Sequence, residues 1–135
     1  MSRQIGVLAA VLDAMLEHAR RDAPLECCGL LAGRDDLITR MFPARNALAS
    51  ASEYSIDPQE LISAFRSMRE SGLTHLGIYH SHPHSENTPS PRDIELAYYP
   101  DCAYFIVSLA PLSGRAIRAF EIRDGRAMEL EVVWQ

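Results

Sequence analysis

At 135 residues, 47% hydrophobic and 23% charged, the chain has the size and composition of one compact domain over residues 1–135. Such a domain buries roughly two-thirds of its unfolded surface with no need of disulfides or a structural metal. With 13 basic and 18 acidic residues the net charge is −5, and the scattered arginines exclude the basic patch that nucleic acid would require. Three cysteines, Cys27, Cys28 and Cys102, form no C-x-x-C pair and leave an odd thiol. A disulfide framework is thereby excluded, and a reducing cytoplasm is the expected compartment.

In chain order, a short strand is predicted around residues 4–6, followed by an amphipathic helix over 8–21 with Val11, Leu12, Met15 and Leu16 on one face. Pro24 closes it. The apolar run at this end is too short to span a bilayer and lacks the layout of a signal peptide, so no membrane association is expected. Residues 27–33 and 37–42 read as strands turned at Asp35-Asp36. Residues 43–57 are rich in Ala and Ser with weak patterning, which predicts a long loop with a brief strand at 53–56. Long loops in compact domains are often functional.

Pro58 opens a second helix through Leu61, Ala64, Phe65 and Met68, ended by Ser71-Gly72. Residues 74–82 form a strand stopped by Pro83, and the two prolines and five polar residues of 83–89 favour irregular backbone. Ser90 is placed to cap a third helix with Pro91 at its first position, running on through Ile94 and Leu96 toward Tyr99. Strands then follow at 103–109, 115–122 and 127–134, with hairpin turns at Ser113-Gly114 and Asp124-Gly125. This mixture implies an α/β (α+β) sandwich around one mixed, mainly antiparallel sheet flanked by helices.

The chemistry concentrates in fourteen positions, His80-Ser81-His82-Pro83 through Ser90-Pro91-Arg92-Asp93. Side chains alternate along a strand, so His80 and His82 share a face about 7 Å apart along the backbone, while Tyr79 and Ser81 point the other way. The following loop can return Asp93 to them. Two imidazoles and a carboxylate make a three-ligand set for a catalytic zinc ion with water in the fourth position. The same set also describes the facial triad of non-haem iron oxygenases. Ser90-x-x-Asp93 is equally an ordinary capping box at a helix start. The cysteines are expected to be small core hydrophobes, and His18, His75 and His84 to be ordinary polar residues outside the site.

On the pattern His80-Ser81-His82-Pro83, Ser90, Asp93, the chain resembles the JAMM (MPN-plus) zinc metalloproteases, as a short bacterial-type member. Glu26, in Pro24-Leu25-Glu26-Cys27-Cys28-Gly29, matches the family's upstream acid, and the likeness covers nearly the whole chain. The resemblance implies the cytidine-deaminase-like JAMM/MPN fold and one zinc ion with a catalytic water, held by His80, His82 and Asp93. It further implies Glu26 as general base and Ser90 as donor to the oxyanion. The implied substrate is a ubiquitin-like sulfur-carrier protein, cleaved at a peptide or isopeptide bond after its C-terminal Gly-Gly. A groove for that tail is expected between the loops 44–54 and 83–89. A homodimer is compatible with the likeness, and a noncatalytic scaffold of the same fold is the remaining alternative.

Overall fold

The computed structural model describes residues 3–135. Among them the chain forms β1 (Gln4–Val7), α1 (Ala9–Asp22), β2 (Cys28–Arg34), β3 (Leu37–Ala44), α2 (Pro58–Glu70), β4 (Thr74–His82), α3 (Pro91–Glu95), β5 (Ala103–Ser108), β6 (Ile117–Arg123) and β7 (Arg126–Trp134). In α1 the buried positions Val11, Met15, His18 and Ala19 recur at three- and four-residue steps, the stripe expected of a helix laid on a sheet. α2 begins where Asp57 accepts the backbone N–H groups of Gln59 and Glu60 at 3.0 and 3.2 Å, with Pro58 just inside the start.

The expected sandwich is not what forms: the strands close into a barrel in the order β1-β3-β2-β4-β5-β6-β7. β1 closes it by pairing in parallel with both β3 and β7, Ile5 opposite Val132 and Gly6 opposite Leu37. Closure leaves neither end strand with an unpaired row of backbone groups. β4 sits between β2, antiparallel with Cys28 opposite His80, and β5, parallel with His80 opposite Ile106. The strand that carries His80 and His82 is therefore flanked on both edges and buried from Gly77 to His82.

The two sides of β4 are sorted by the strand's period of two. Tyr79 joins the core that packs under α1, with Ile5, Met15, Leu31 and Phe105. Ile78 belongs to the opposite side with Tyr104, Ile106 and Phe120, backed by Ile56 and Ile94, and His80 and His82 share its parity. Gly29 faces Tyr79 across the β2–β4 pairing, where a Cβ would come within 2.5 Å of the Tyr79 hydroxyl and 2.6 Å of the Phe42 carbonyl. Only glycine fits there.

Two elements are shorter than expected. The strand anticipated at 53–56 reduces to a single bridge between Asn46 and Ile56. The third helix stops at Glu95 because the chain peels away to the barrel, where the Tyr99 N–H donates to the Tyr104 hydroxyl at 3.0 Å.

Candidate metal centre

His80, His82 and Asp93 meet at one point. The His80 and His82 Nε2 atoms are 3.1 Å apart, and Asp93 Oδ2 lies 3.2 Å from the first and 3.1 Å from the second. Bonds of about 2.0–2.1 Å at tetrahedral angles place ligand atoms ~3.3 Å apart, so this near-equilateral triangle has the dimensions of three corners of a zinc tetrahedron. The tautomer fits as well. His82 Nδ1–H donates to the Glu86 carbonyl at 2.7 Å, which leaves the Nε2 lone pair facing the triangle. His80 is 1% exposed, and its Nδ1 has no hydrogen-bond partner.

Charge is arranged to match. Burial lowers the proton affinity of His80, more than Asp93 restores it. For His82 burial acts in the same direction, but Asp93 and the Glu86 carbonyl together outweigh it and raise the imidazole above its ordinary value. Burial works against the Asp93 anion, yet in the metal-free site the Ser90 N–H and the His80 and His82 rings, when their Nε2 atoms carry protons, hold the carboxyl well below the usual carboxylate range, and a metal ion would take the place of those two protons. The resulting pocket offers two imidazoles and a firmly ionised carboxylate.

Both readings of Ser90-x-x-Asp93 hold at once. The Ser90 hydroxyl oxygen accepts the Asp93 N–H at 3.0 Å, and Asp93 Oδ2 accepts the Ser90 N–H at 2.9 Å while facing the imidazoles. Capping occupies a lone pair of the Ser90 oxygen and leaves its O–H free to donate. The cap is thus part of what aims the aspartate.

Glu26 lies just ahead of β2 and is 5% exposed, with Oε1 buried and unpaired. Burial pushes its carboxyl up, His82 pulls it back, and Asp93 and Glu53 add to the rise, to about 7. The β2–β4 pairing of Cys28 with His80, continued by the Ser81 N–H donating to the Cys27 carbonyl at 3.1 Å, brings Glu26 to the level of His82, outside the three-residue cluster itself. Ser81 turns away from the site as expected and accepts the Cys27 N–H at 2.8 Å. Cys27, Cys28 and Cys102 are buried, and burial pushes their thiols up to about 11, 12 and 11, which suits core packing and not nucleophilic chemistry.

The long loop, one of the two expected groove walls, lines a cavity next to Asp93. This cavity of about 440 Å³ is walled by Tyr54 and Ile56 from the long loop, by Leu61 of α2, and by Tyr98 and Tyr99 after α3. Residues 83–89 are not among its walls. That segment is a brace: Ser108 Oγ donates to the Ser85 carbonyl and Asn87 Nδ2 to the Arg115 carbonyl, each at 2.7 Å, and its Glu86 carbonyl locks His82. Glu53 and Arg92 form an ion pair of 2.9 Å between the long loop and α3.

Three features carried no sequence signal. The Tyr54 ring stacks on His80 at 4.4 Å between centroids and 20° between planes. Asn46 spends both amide hydrogens on the carbonyls of Glu26 and Glu53, and its oxygen accepts from Leu48 and Ser55. On the far side of the barrel, His18 contacts the Tyr79 hydroxyl at 2.7 Å and Asp22 at 3.0 Å, tying α1 to β4. Tyr54–His80, Asn46–Glu26 and His18–Tyr79 each join residues at least 20 positions apart, so only the fold brings them together.

The barrel thus converges two imidazoles and a carboxylate able to hold a metal ion, with a buried, unpaired glutamate just ahead of β2. Residues 8–123 match the family described as prokaryotic homologs of the JAB domain, and the chain belongs to that family. It is similar to the CysO-cysteine peptidase of Mycobacterium tuberculosis, 38% identical over 91% of this chain and 86% of the relative. Similarity to a desampylase of Haloferax volcanii is 37% over 79% of this chain and 82% of the relative. The solution structure of protein DSY2949 from Desulfitobacterium hafniense superimposes with a TM-score of 0.88 at 36% identity, covering 97% of this chain and 92% of that one. The enzyme is a peptidase.

Proposed function

We propose that this chain is a zinc-dependent peptidase that hydrolyses the amide bond following the Gly-Gly tail of a ubiquitin-like sulfur-carrier protein in the cytoplasm. The observation that carries the metal reading is the 3.1–3.2 Å triangle of His80 Nε2, His82 Nε2 and Asp93 Oδ2. The substrate class is supported by the similarity to a CysO-cysteine peptidase and a desampylase and by the cavity beside Asp93, which has room for an extended small-residue tail. Three buried, unbridged thiols suit a reducing compartment.

A zinc ion held by His80, His82 and Asp93 would lower the pKa of a water molecule toward neutral and polarise the scissile carbonyl. Glu26 supplies proton traffic. A carboxyl raised to about 7 is matched to neutral pH, able to take a proton from the attacking water and hand it to the leaving amine. The free O–H of Ser90 donates to the oxyanion that forms at the carbonyl, a contribution of roughly 2.7–4 kcal/mol for a preorganised donor. A buried carboxyl with raised proton affinity is suited to activating a water molecule, which favours hydrolysis over iron-centred oxidation.

Incubating the zinc-loaded protein with candidate carriers bearing C-terminal extensions, with intact mass as the readout, tests the reading. A fixed mass loss ending at Gly-Gly, abolished by a chelator, is expected. Unchanged masses for every Gly-Gly carrier, alongside cleavage of unrelated peptides, would refute the substrate class.

A further inference from the structure

We infer that Tyr54 is a positioning residue for the metal centre, its ring clamping the His80 imidazole so that Nε2 stays aimed at His82 and Asp93. The inference rests on the zinc reading above. The two imidazoles are secured differently. His82 has its Nδ1–H locked to the Glu86 carbonyl at 2.7 Å, whereas His80 Nδ1 is buried with no partner. A hydrogen bond from the second ring nitrogen is what ordinarily orients a ligating histidine. His80 lacks one, and the near-parallel Tyr54 ring at 4.4 Å takes its place, confining the plane of the imidazole.

Tyr54 can do this because its own segment is pinned on both sides. Asn46 Nδ2 donates to the Glu53 carbonyl at 2.9 Å and Asn46 Oδ1 accepts the Ser55 N–H at 3.1 Å, so the residues before and after Tyr54 are both held. The Ala47 N–H donates to the Ser55 carbonyl at 2.8 Å. The second amide hydrogen of Asn46 goes to the Glu26 carbonyl at 3.1 Å. One side chain with all four hydrogen bonds made therefore mounts the clamp and the backbone of Glu26 on a common bracket. The Tyr54 ring also lines the cavity beside Asp93, standing between it and His80.

The test is zinc affinity of the full chain, measured by competition with a chromophoric chelator, together with the visible spectrum of the Co²⁺-loaded protein and thermal melting. Tyr54→Phe keeps the stacked ring and is expected to bind zinc within about twofold of the native protein with the same Co²⁺ bands. Tyr54→Leu is expected to weaken zinc by about tenfold or more, the usual penalty for losing a support of a metal ligand, and to shift the Co²⁺ bands. A Tyr54→Leu protein with native zinc affinity and native Co²⁺ spectrum, while His80→Ala loses both, would overturn the inference and leave the metal centre standing. Failure of the native chain to bind zinc at all would remove the metal reading and the inference together. In the native zinc-loaded protein, NMR contacts between the Tyr54 and His80 rings are required whatever the variants do, and their absence also overturns it.

Discussion

Ser90 is the residue whose removal separates two roles that one oxygen performs. In Ser90→Ala the Asp93 N–H loses its 3.0 Å acceptor, a capping loss of about 1 kcal/mol, which lowers the melting temperature by about 3–5 °C for a domain of this length. The O–H that would meet the oxyanion disappears as well, and one preorganised donor is worth roughly 10²–10³ in kcat. The two numbers are far apart, so the assays can tell them apart: differential scanning calorimetry for the cap, steady-state hydrolysis of a cleavable Gly-Gly carrier for the donor. Asp93 should keep its place, since the Ser90 N–H that reaches Oδ2 at 2.9 Å is backbone and survives the substitution. Zinc content is therefore expected to be unchanged, and Ser90→Thr, which retains both functions, should restore most of the rate. An alanine protein that melts early yet turns over at full kcat would refute the oxyanion assignment. Zinc loss in proportion to the lost rate would show that Ser90 serves only to aim Asp93.

Glu26→Gln should retain zinc, measured by metal analysis, but lose roughly 10²–10⁴ in kcat as its proton transfer is removed; full activity would exclude Glu26 as the base. The same residue makes the metal-free protein pH-sensitive. Because its folded pKa of about 7 lies above the ordinary 4.5, the folded state holds a proton that the unfolded state has released, and stability drops as pH rises from 4.5 through 7. The gap is worth on the order of 3 kcal/mol at pH 8, so urea titration in the presence of a chelator should find Glu26→Gln more stable than the native chain at pH 8 and converging with it near pH 4; parallel curves at both pH values would contradict this. Gly29→Ala drives a methyl group into the Tyr79 hydroxyl and the Phe42 carbonyl and should cost about 1–3 kcal/mol, read as a lower urea midpoint; an unchanged midpoint would show that β2 can move aside.

The clustering of His80, His82 and Asp93 was legible because its information is local. A strand's period of two puts His80 and His82 on one face, and a seven-residue connection ending in a capping sequence returns Asp93 within reach. Glu26 was legible only through its family context, since an isolated acid before a strand looks solvated; burial is what distinguishes it. Barrel closure was not legible: a four-residue strand announces itself at Gln4–Val7, but its partners at Ile38 and Glu131 are chosen by the packing of the whole sheet. Tyr54 and Asn46 escaped for the same reason, as members of a loop with weak patterning whose contacts lie 26 and 20 residues away, at His80 and Glu26. Prolines and polar residues marked 83–89 as irregular backbone, but the hydrogen bonds of Ser85 and Asn87 to the distant Ser108 and Arg115, which fasten the segment that supports His82, come only with the fold.

X-ray absorption at the zinc edge of the loaded protein reaches the central claim most directly. Two imidazole nitrogens and light oxygen ligands at about 2.0–2.2 Å, reduced to one imidazole in His82→Ala, is the expected shell. A sulfur-containing shell, or one unchanged by loss of His82, would place the ion elsewhere and contradict the account.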